Sequence, residues 1–147
     1  MEEMLAALEK AFDDYGTDLE KAAKKQKVTD GLFGFGHSLK DDACHDRLDE
    51  KVSETVSDII KRGPSPGEAE RAVRTLLASR EERFPREAAR WMLRAVERHA
   101  LKLIPFLDRS AAGKIMSEYT RRYRPWDRLP AQKEVLRALG ERARGEK

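Results

Sequence analysis

Four residues of this sequence have the side chains best suited to bind a metal or attack a substrate: His37, Cys44, His45 and His99. One cysteine and three histidines would complete a tetrahedral zinc site. The spacing argues against such a site, because Cys44 and His45 are adjacent and would point about 100° apart on a helix. We therefore predict no cofactor, and zinc bound by these four residues is the alternative.

The helical pattern around the same residues favours structural roles. At 100° per residue, His45 shares a helix face with Leu48, and His99 shares one with Val96. Both histidines are expected to face the core with a hydrogen-bond partner. Cys44 is expected to pack as a small buried hydrophobic residue.

Thiol catalysis would need a histidine base within reach of Cys44 and a third group that orients the base, for which Asp41 or Asp42 would serve. These residues match no catalytic signature. The glycine-rich residues 31–36 follow no predicted strand and lack the Lys-Ser or Lys-Thr ending of a phosphate-binding loop. We predict no catalytic residues and no enzyme, and keep a thiol-dependent site as an alternative.

Two sets of like charges recur every four residues along predicted helices. The acidic ridge consists of Asp42, Asp46, Glu50, Glu54 and Asp58. The basic ridge consists of Arg86, Arg90, Arg94, Arg98 and Lys102. Each ridge lies opposite the apolar face of its helix, so both are expected to face outward, either as ordinary solvated surface or as surfaces for a partner.

Two tryptophans lie among arginines, a composition that is typical of partner-binding surfaces. Trp91 falls near the basic ridge, and Trp126 follows an arginine-rich segment. The predicted partner-binding residues are Arg90, Trp91, Arg94, Arg98, Arg121, Arg122, Arg124 and Trp126. The same composition would suit phosphates and unpaired bases, so nucleic acid is the alternative partner.

Length and composition indicate one globular helical domain. The 147 residues are 39% hydrophobic and 39% charged, which argues against simple disorder and suits helices with ionic outer faces. Residues 1–60 carry 8 basic and 15 acidic side chains, and residues 61–147 carry 22 and 12, so their net charges are −7 and +10. This asymmetry either holds the two parts together or marks a surface for a charged partner.

The single cysteine excludes an intrachain disulfide and favours a reducing compartment. The first residues lack the pattern of a signal peptide, and no run of about 18 apolar residues would span a bilayer. We expect a cytoplasmic protein with no membrane partner.

Apolar periodicity then predicts the elements that position these residues. Residues 1–27 form an amphipathic helix, or a kinked pair of helices that meet near Gly16, because Thr17 begins a capping-box pattern. Residues 28–42, with three glycines and two phenylalanines, form a loop anchored by aromatic side chains. Residues 43–147 form the main helical bundle.

Proline, glycine and capping residues divide the bundle into helices. The expected helices run from about Cys44 to Lys61, from a cap at Ser65 to about Arg80, from about Pro85 to Ile104, from a cap at Asp108, and from Pro130 onward. The predicted fold is all-α: a single-domain bundle or short stack of about five to six amphipathic helices with short loops.

Abundant surface charge without a catalytic constellation favours a helical protein-interaction or adaptor domain. Its partner is expected to be another protein or a second copy of the chain. Nucleic-acid binding through the arginine-rich second half is one alternative, and a metal or thiol site is the other.

Overall fold

A computed structural model describes residues 1–30, 37–78, 96–123 and 130–145, with side chains for all of these except residues 22–30, 37–42 and Ala131. The helices are α1 (Glu2–Asp30), α2 (His37–Lys61), α3 (Pro66–Leu77), α4 (residues 96–103), α5 (Arg109–Arg122) and α6 (Pro130–Ala143). A 3₁₀ turn, Ile104–Phe106, follows α4. No strand occurs within these ranges, so the predicted all-α fold is confirmed.

The first helix is continuous, so of the two predicted arrangements the structure shows the single helix and not the pair that meets near Gly16. The Thr17 hydroxyl donates a hydrogen bond to the Asp13 carbonyl oxygen at 3.2 Å, so Thr17 lies inside a helix instead of capping a new one. A glycine inside a helix costs about 1 kcal/mol relative to alanine. Burial of Phe12 and Tyr15 next to Gly16 outweighs that cost.

Part of the segment predicted as a loop over residues 28–42 is helical instead. The first helix continues to Asp30 and the second begins at His37, so helix replaces predicted loop on both sides. Residues 28–30 and 37–42 contain neither glycine nor proline, the two residue types that oppose a helix most strongly. Phe33 and Phe35, the predicted aromatic anchors, lie outside the described residues.

The junction between α2 and α3 confirms the sequence prediction. Gly63 has a positive φ of 66°, and its backbone N–H donates to the Ile60 carbonyl at 3.0 Å, which ends α2. Ser65 Oγ accepts from the Glu68 backbone N–H at 3.2 Å, while Glu68 Oε1 accepts from the Ser65 N–H at 3.1 Å. This reciprocal capping box starts α3.

The third helix ends at Leu77 and does not reach the predicted end near Arg80. Ala78 has an extended backbone, with φ −59° and ψ 140°. The Arg122 guanidinium donates to the carbonyl oxygen of Leu77, which replaces a helical partner at that end.

The fifth helix begins as predicted at Asp108, whose Oδ1 accepts from the Ala111 backbone N–H at 2.7 Å. Arg142 Nε donates to the Leu107 carbonyl at 2.6 Å, which ties the end of α6 to the start of α5. The sixth helix begins at Pro130, as predicted. Of the helix predicted from Pro85, only residues 96–103 are described, and they are helical.

The core brings these helices together along their apolar stripes. The first helix packs against α2 and α3, the fifth packs against α6, and the 3₁₀ turn contacts α3 and α6. The largest buried apolar and aromatic side chains are Leu8, Phe12, Tyr15, Ile59, Leu76, Leu103, Ile104, Leu107, Tyr119 and Leu139. No described helix combines the length and apolar character needed to cross a membrane.

Candidate functional site

Cys44 and His45 occupy different environments at the second helix. Cys44 is buried and its Sγ accepts from Arg47 Nη2 at 3.7 Å, whereas His45 is half-buried with its ring centroid 5.7 Å from that of Tyr15. The expectation that Cys44 packs as a small buried residue is confirmed.

His99 on α4 is a buried core histidine, as predicted. Its Nε2 donates to Oδ1 of Asp49 on α2 at 2.8 Å, so the imidazole links the two helices. Within the described residues its Nδ1 has no hydrogen-bond partner.

The residues named for the alternative zinc site are not brought together by the described side chains. Among them, no three histidine, cysteine, aspartate or glutamate residues come close enough to hold a metal ion. Cys44, His45 and His99 therefore do not form a ligand set, and the side chain of His37 lies outside the described part of the chain. Zinc gains no support from this geometry.

The sequence interpretation missed Glu97, the most deeply buried ionisable group of α4. Its side chain is 0% exposed, and Oε1 accepts a hydrogen bond from the Tyr119 hydroxyl of α5. Its Oε2 has no partner within the described residues. Gln132 of α6 is also buried and hydrogen-bonds with Tyr119. The ring centroid of Tyr119 lies 4.8 Å from that of Tyr123.

Burial alters the acid–base behaviour of this pair. Loss of solvent raises the pKa of Glu97 to about 7, although the hydrogen bond from Tyr119 acts in the opposite direction. The pKa of Tyr119 is raised, first by burial and then by the negative charge of Glu97. Glu97 can therefore hold a proton near neutral pH.

The two described grooves do not reach Glu97. Neither of the two described grooves, between α1 and α2 and beside α3 and α5, is lined by Glu97. The sequence did contain a signal for the burial of Glu97. Glu97 precedes Ala100 by three residues and Ile104 by seven, and thus lies on an apolar stripe.

The structure describes three of the eight residues that were predicted to bind a partner. Arg98, like its ridge neighbour Lys102, is exposed as predicted, and so is Arg121. Arg122 is exposed but its guanidinium is held by the Leu77 carbonyl, so it caps α3. The other five, Arg90, Trp91, Arg94, Arg124 and Trp126, lie outside the described residues.

The acidic ridge faces outward along α2. Asp46, Glu50, Glu54 and Asp58 are all exposed, and none forms an ion pair with a described residue; the side chain of Asp42 is not described. Like charges four residues apart destabilise a helix by about 0.2–0.5 kcal/mol per pair. The three successive pairs therefore oppose the stability of α2 by about 1 kcal/mol in total.

A groove between α1 and α2 runs beside this ridge. Its volume is about 550 Å³. It is lined by Ala11, Asp14, Tyr15, Thr17, Asp18, Lys21, Arg47, Leu48, Glu50, Lys51 and Glu54. Arg47 Nε donates to Asp18 Oδ2 at 3.2 Å across the helix pair. Two residues of the acidic ridge, Glu50 and Glu54, border the groove.

Comparison with protein families, curated proteins and solved structures finds no match for this chain.

Proposed function

We propose that this chain is a helical protein-interaction or adaptor domain that binds its protein partner through the acidic ridge of α2. The observation that carries the proposal is the exposure of Asp46, Glu50, Glu54 and Asp58 at four-residue spacing, without ion pairs to described residues. Such a row attracts a partner that presents positive charge at helical spacing.

The energetics support this proposal. Exposed acidic residues in a row repel one another, and a cationic partner would relieve that repulsion. The groove beside Glu50 and Glu54 would admit the aliphatic stems of lysine or arginine side chains from such a partner.

The proposal can be tested with a labelled helical peptide that carries lysine at every fourth position. Fluorescence anisotropy should detect binding to the full chain, with an affinity that falls as salt concentration rises. The double variant Glu50→Lys, Glu54→Lys should weaken binding at least tenfold, because it reverses the centre of the acidic ridge.

The matched control is Glu9→Lys, Glu20→Lys, which makes the same change in net charge at exposed positions of α1 outside the groove. It should bind the peptide nearly as well as the unaltered chain. Equal loss in both variants would show that net charge alone attracts the peptide, and the proposal would fail. Tight binding of an acidic peptide or of RNA, with no binding of the basic peptide, would favour the nucleic-acid alternative or another site.

A further inference from the structure

Four exposed cations lie on the last two helices, among the exposed carboxylates of Glu118 and Glu134. Lys114 and Arg121 project from α5 and Lys133 and Arg137 from α6, and all four are exposed. We call these four residues the α5–α6 basic surface. None of them forms an ion pair with a carboxylate of the described residues.

The spacing within this surface follows the helical period. Lys114 and Arg121 are seven residues apart, and Lys133 and Arg137 are four apart, so each pair lies on one side of its helix. On α5 this side is opposite the face that buries Ala112 and Ile115.

The acidic ridge and the α5–α6 basic surface do not neutralise each other within the described parts of one chain. The first helix packs on α2 and α3, whereas α5 packs on α6. The third helix carries the ion pairs to both sides, through Arg71 to Glu2 of α1 and through Arg74 to Glu118 of α5. No described ion pair joins α2 to α5 or α6.

We propose that the partner of the acidic ridge is a second copy of this chain, which binds the ridge through its α5–α6 basic surface. This inference rests on the function proposed above and names its partner. Because the two surfaces differ, the contact is head to tail, and a pair of copies keeps one free surface of each sign. Copies would therefore add in succession, as an open chain or a closed ring.

The basic residues of α5 are long enough to cover part of the acidic ridge. From Asp46 to Asp58 the ridge extends about 18 Å, and from Lys114 to Arg121 the basic residues of α5 extend about 10 Å. Like-charge repulsion along α2 would be relieved in the contact, and every copy of the chain supplies the complementary surface. Exposed ion pairs are individually weak, so the association is expected to be reversible and sensitive to salt.

Sedimentation velocity of the full chain tests the first consequence. At low salt, about 50 mM, the weight-average mass should rise with protein concentration, and at about 500 mM it should return to that of the monomer. A chain that stays monomeric at every concentration in low salt would overturn the proposal. If that chain still binds the lysine peptide at the ridge, the proposed function stands and only self-association is excluded.

Two charge-reversed variants test which surfaces meet. The first carries Asp46→Lys, Glu50→Lys, Glu54→Lys and Asp58→Lys, and the second carries Lys114→Glu, Arg121→Glu, Lys133→Glu and Arg137→Glu. Each variant alone should be monomeric at low salt, because its two surfaces then have the same sign. An equimolar mixture should associate, since each variant supplies the sign that the other lacks.

Circular dichroism of both variants provides the control for folding, and all eight positions are exposed. Variants that associate alone as strongly as the unaltered chain would overturn the assigned surfaces. Monomeric variants whose mixture also stays monomeric would overturn them too, provided that both retain helical spectra. Loss of RNA or DNA binding in the second variant, with an unaltered chain that never self-associates, would assign the basic surface to nucleic acid instead.

Discussion

Tyr119 of α5 donates its hydroxyl hydrogen to Oε1 of Glu97 of α4, and both side chains are buried in the core. The bond joins an acid whose pKa is raised to about 7 to a phenol whose pKa is also raised. A protonated Glu97 can stay buried at low cost, whereas its carboxylate loses solvation that one hydrogen bond does not replace.

Glu97→Gln should therefore stabilise the protein at alkaline pH. The folded-state pKa of about 7 lies above the ordinary value of 4.5, so the folded state binds the extra proton between these values. The free energy of unfolding of the unaltered chain is then highest below about pH 4.5 and falls as pH rises through 7. Well above pH 7 the total loss is about 3 kcal/mol. Chemical denaturation at pH 5 and pH 8.5 should show the variant gaining stability over the unaltered chain mainly at the higher pH.

The matching variant Tyr119→Phe removes the donor and leaves both carboxyl oxygens of Glu97 without a described partner. It should lower the free energy of unfolding by about 1–3 kcal/mol and extend the fall in stability to higher pH, because the hydrogen bond that lowers the pKa of Glu97 is lost. Identical pH profiles for the unaltered chain and Glu97→Gln would contradict the assigned pKa.

Helix ends were predicted well where a specific side chain or glycine defines them. Ser65, Asp108 and Gly63 each act through a local hydrogen bond or a backbone conformation that short sequence patterns report. The alternative of a helix pair that meets near Gly16 does not occur, since Thr17 hydrogen-bonds inside a helix whose preceding residues Phe12 and Tyr15 are buried. Local pattern cannot report such tertiary contacts.

For the candidate functional residues too, local sequence patterns predicted exposure and burial but not contacts between helices. Exposure of the acidic ridge followed from the helical period alone, and so did burial of His99. The partners Asp49 and Tyr119 come from other helices, 50 and 22 residues from His99 and Glu97 in sequence, so the pairs could not be predicted before the packing was known. Arg122 was predicted as a partner-binding residue, but a carbonyl of α3 already holds it.

Ser65→Ala should destabilise the protein by about 1 kcal/mol, because it removes the acceptor for the Glu68 backbone N–H at the start of α3. Thr17→Ala is the contrasting control, since Thr17 has a similar sequence pattern but lies inside α1. Alanine there should be neutral or slightly stabilising. Urea denaturation of both variants measures the difference, and equal losses would contradict the assignment of a continuous α1.

Gly63→Ala should cost about 1–2 kcal/mol, because alanine tolerates the φ of 66° poorly. No atom lies within 4 Å of a Cβ added at this position, so the cost would come from the backbone alone. Gly67→Ala supplies the matched control: it also has free space, but it has no positive φ and lies in the first turn of α3. That variant should gain about 0.4–1 kcal/mol in thermal or chemical denaturation, and a loss would contradict the described backbone.

The bond between His99 and Asp49 should couple α4 to α2 energetically. Asp49→Ala leaves the buried Nε2 of His99 without its acceptor and should cost about 1 kcal/mol, moderated by water because the Asp49 side chain is 52% exposed. Asp49→Asn keeps an acceptor oxygen and should cost less. A double-mutant cycle with His99→Ala should give a coupling energy of about 0.5–1.5 kcal/mol. A coupling energy near zero would mean that packing alone holds the imidazole, since the hydrogen bond would then contribute nothing that either single change could remove.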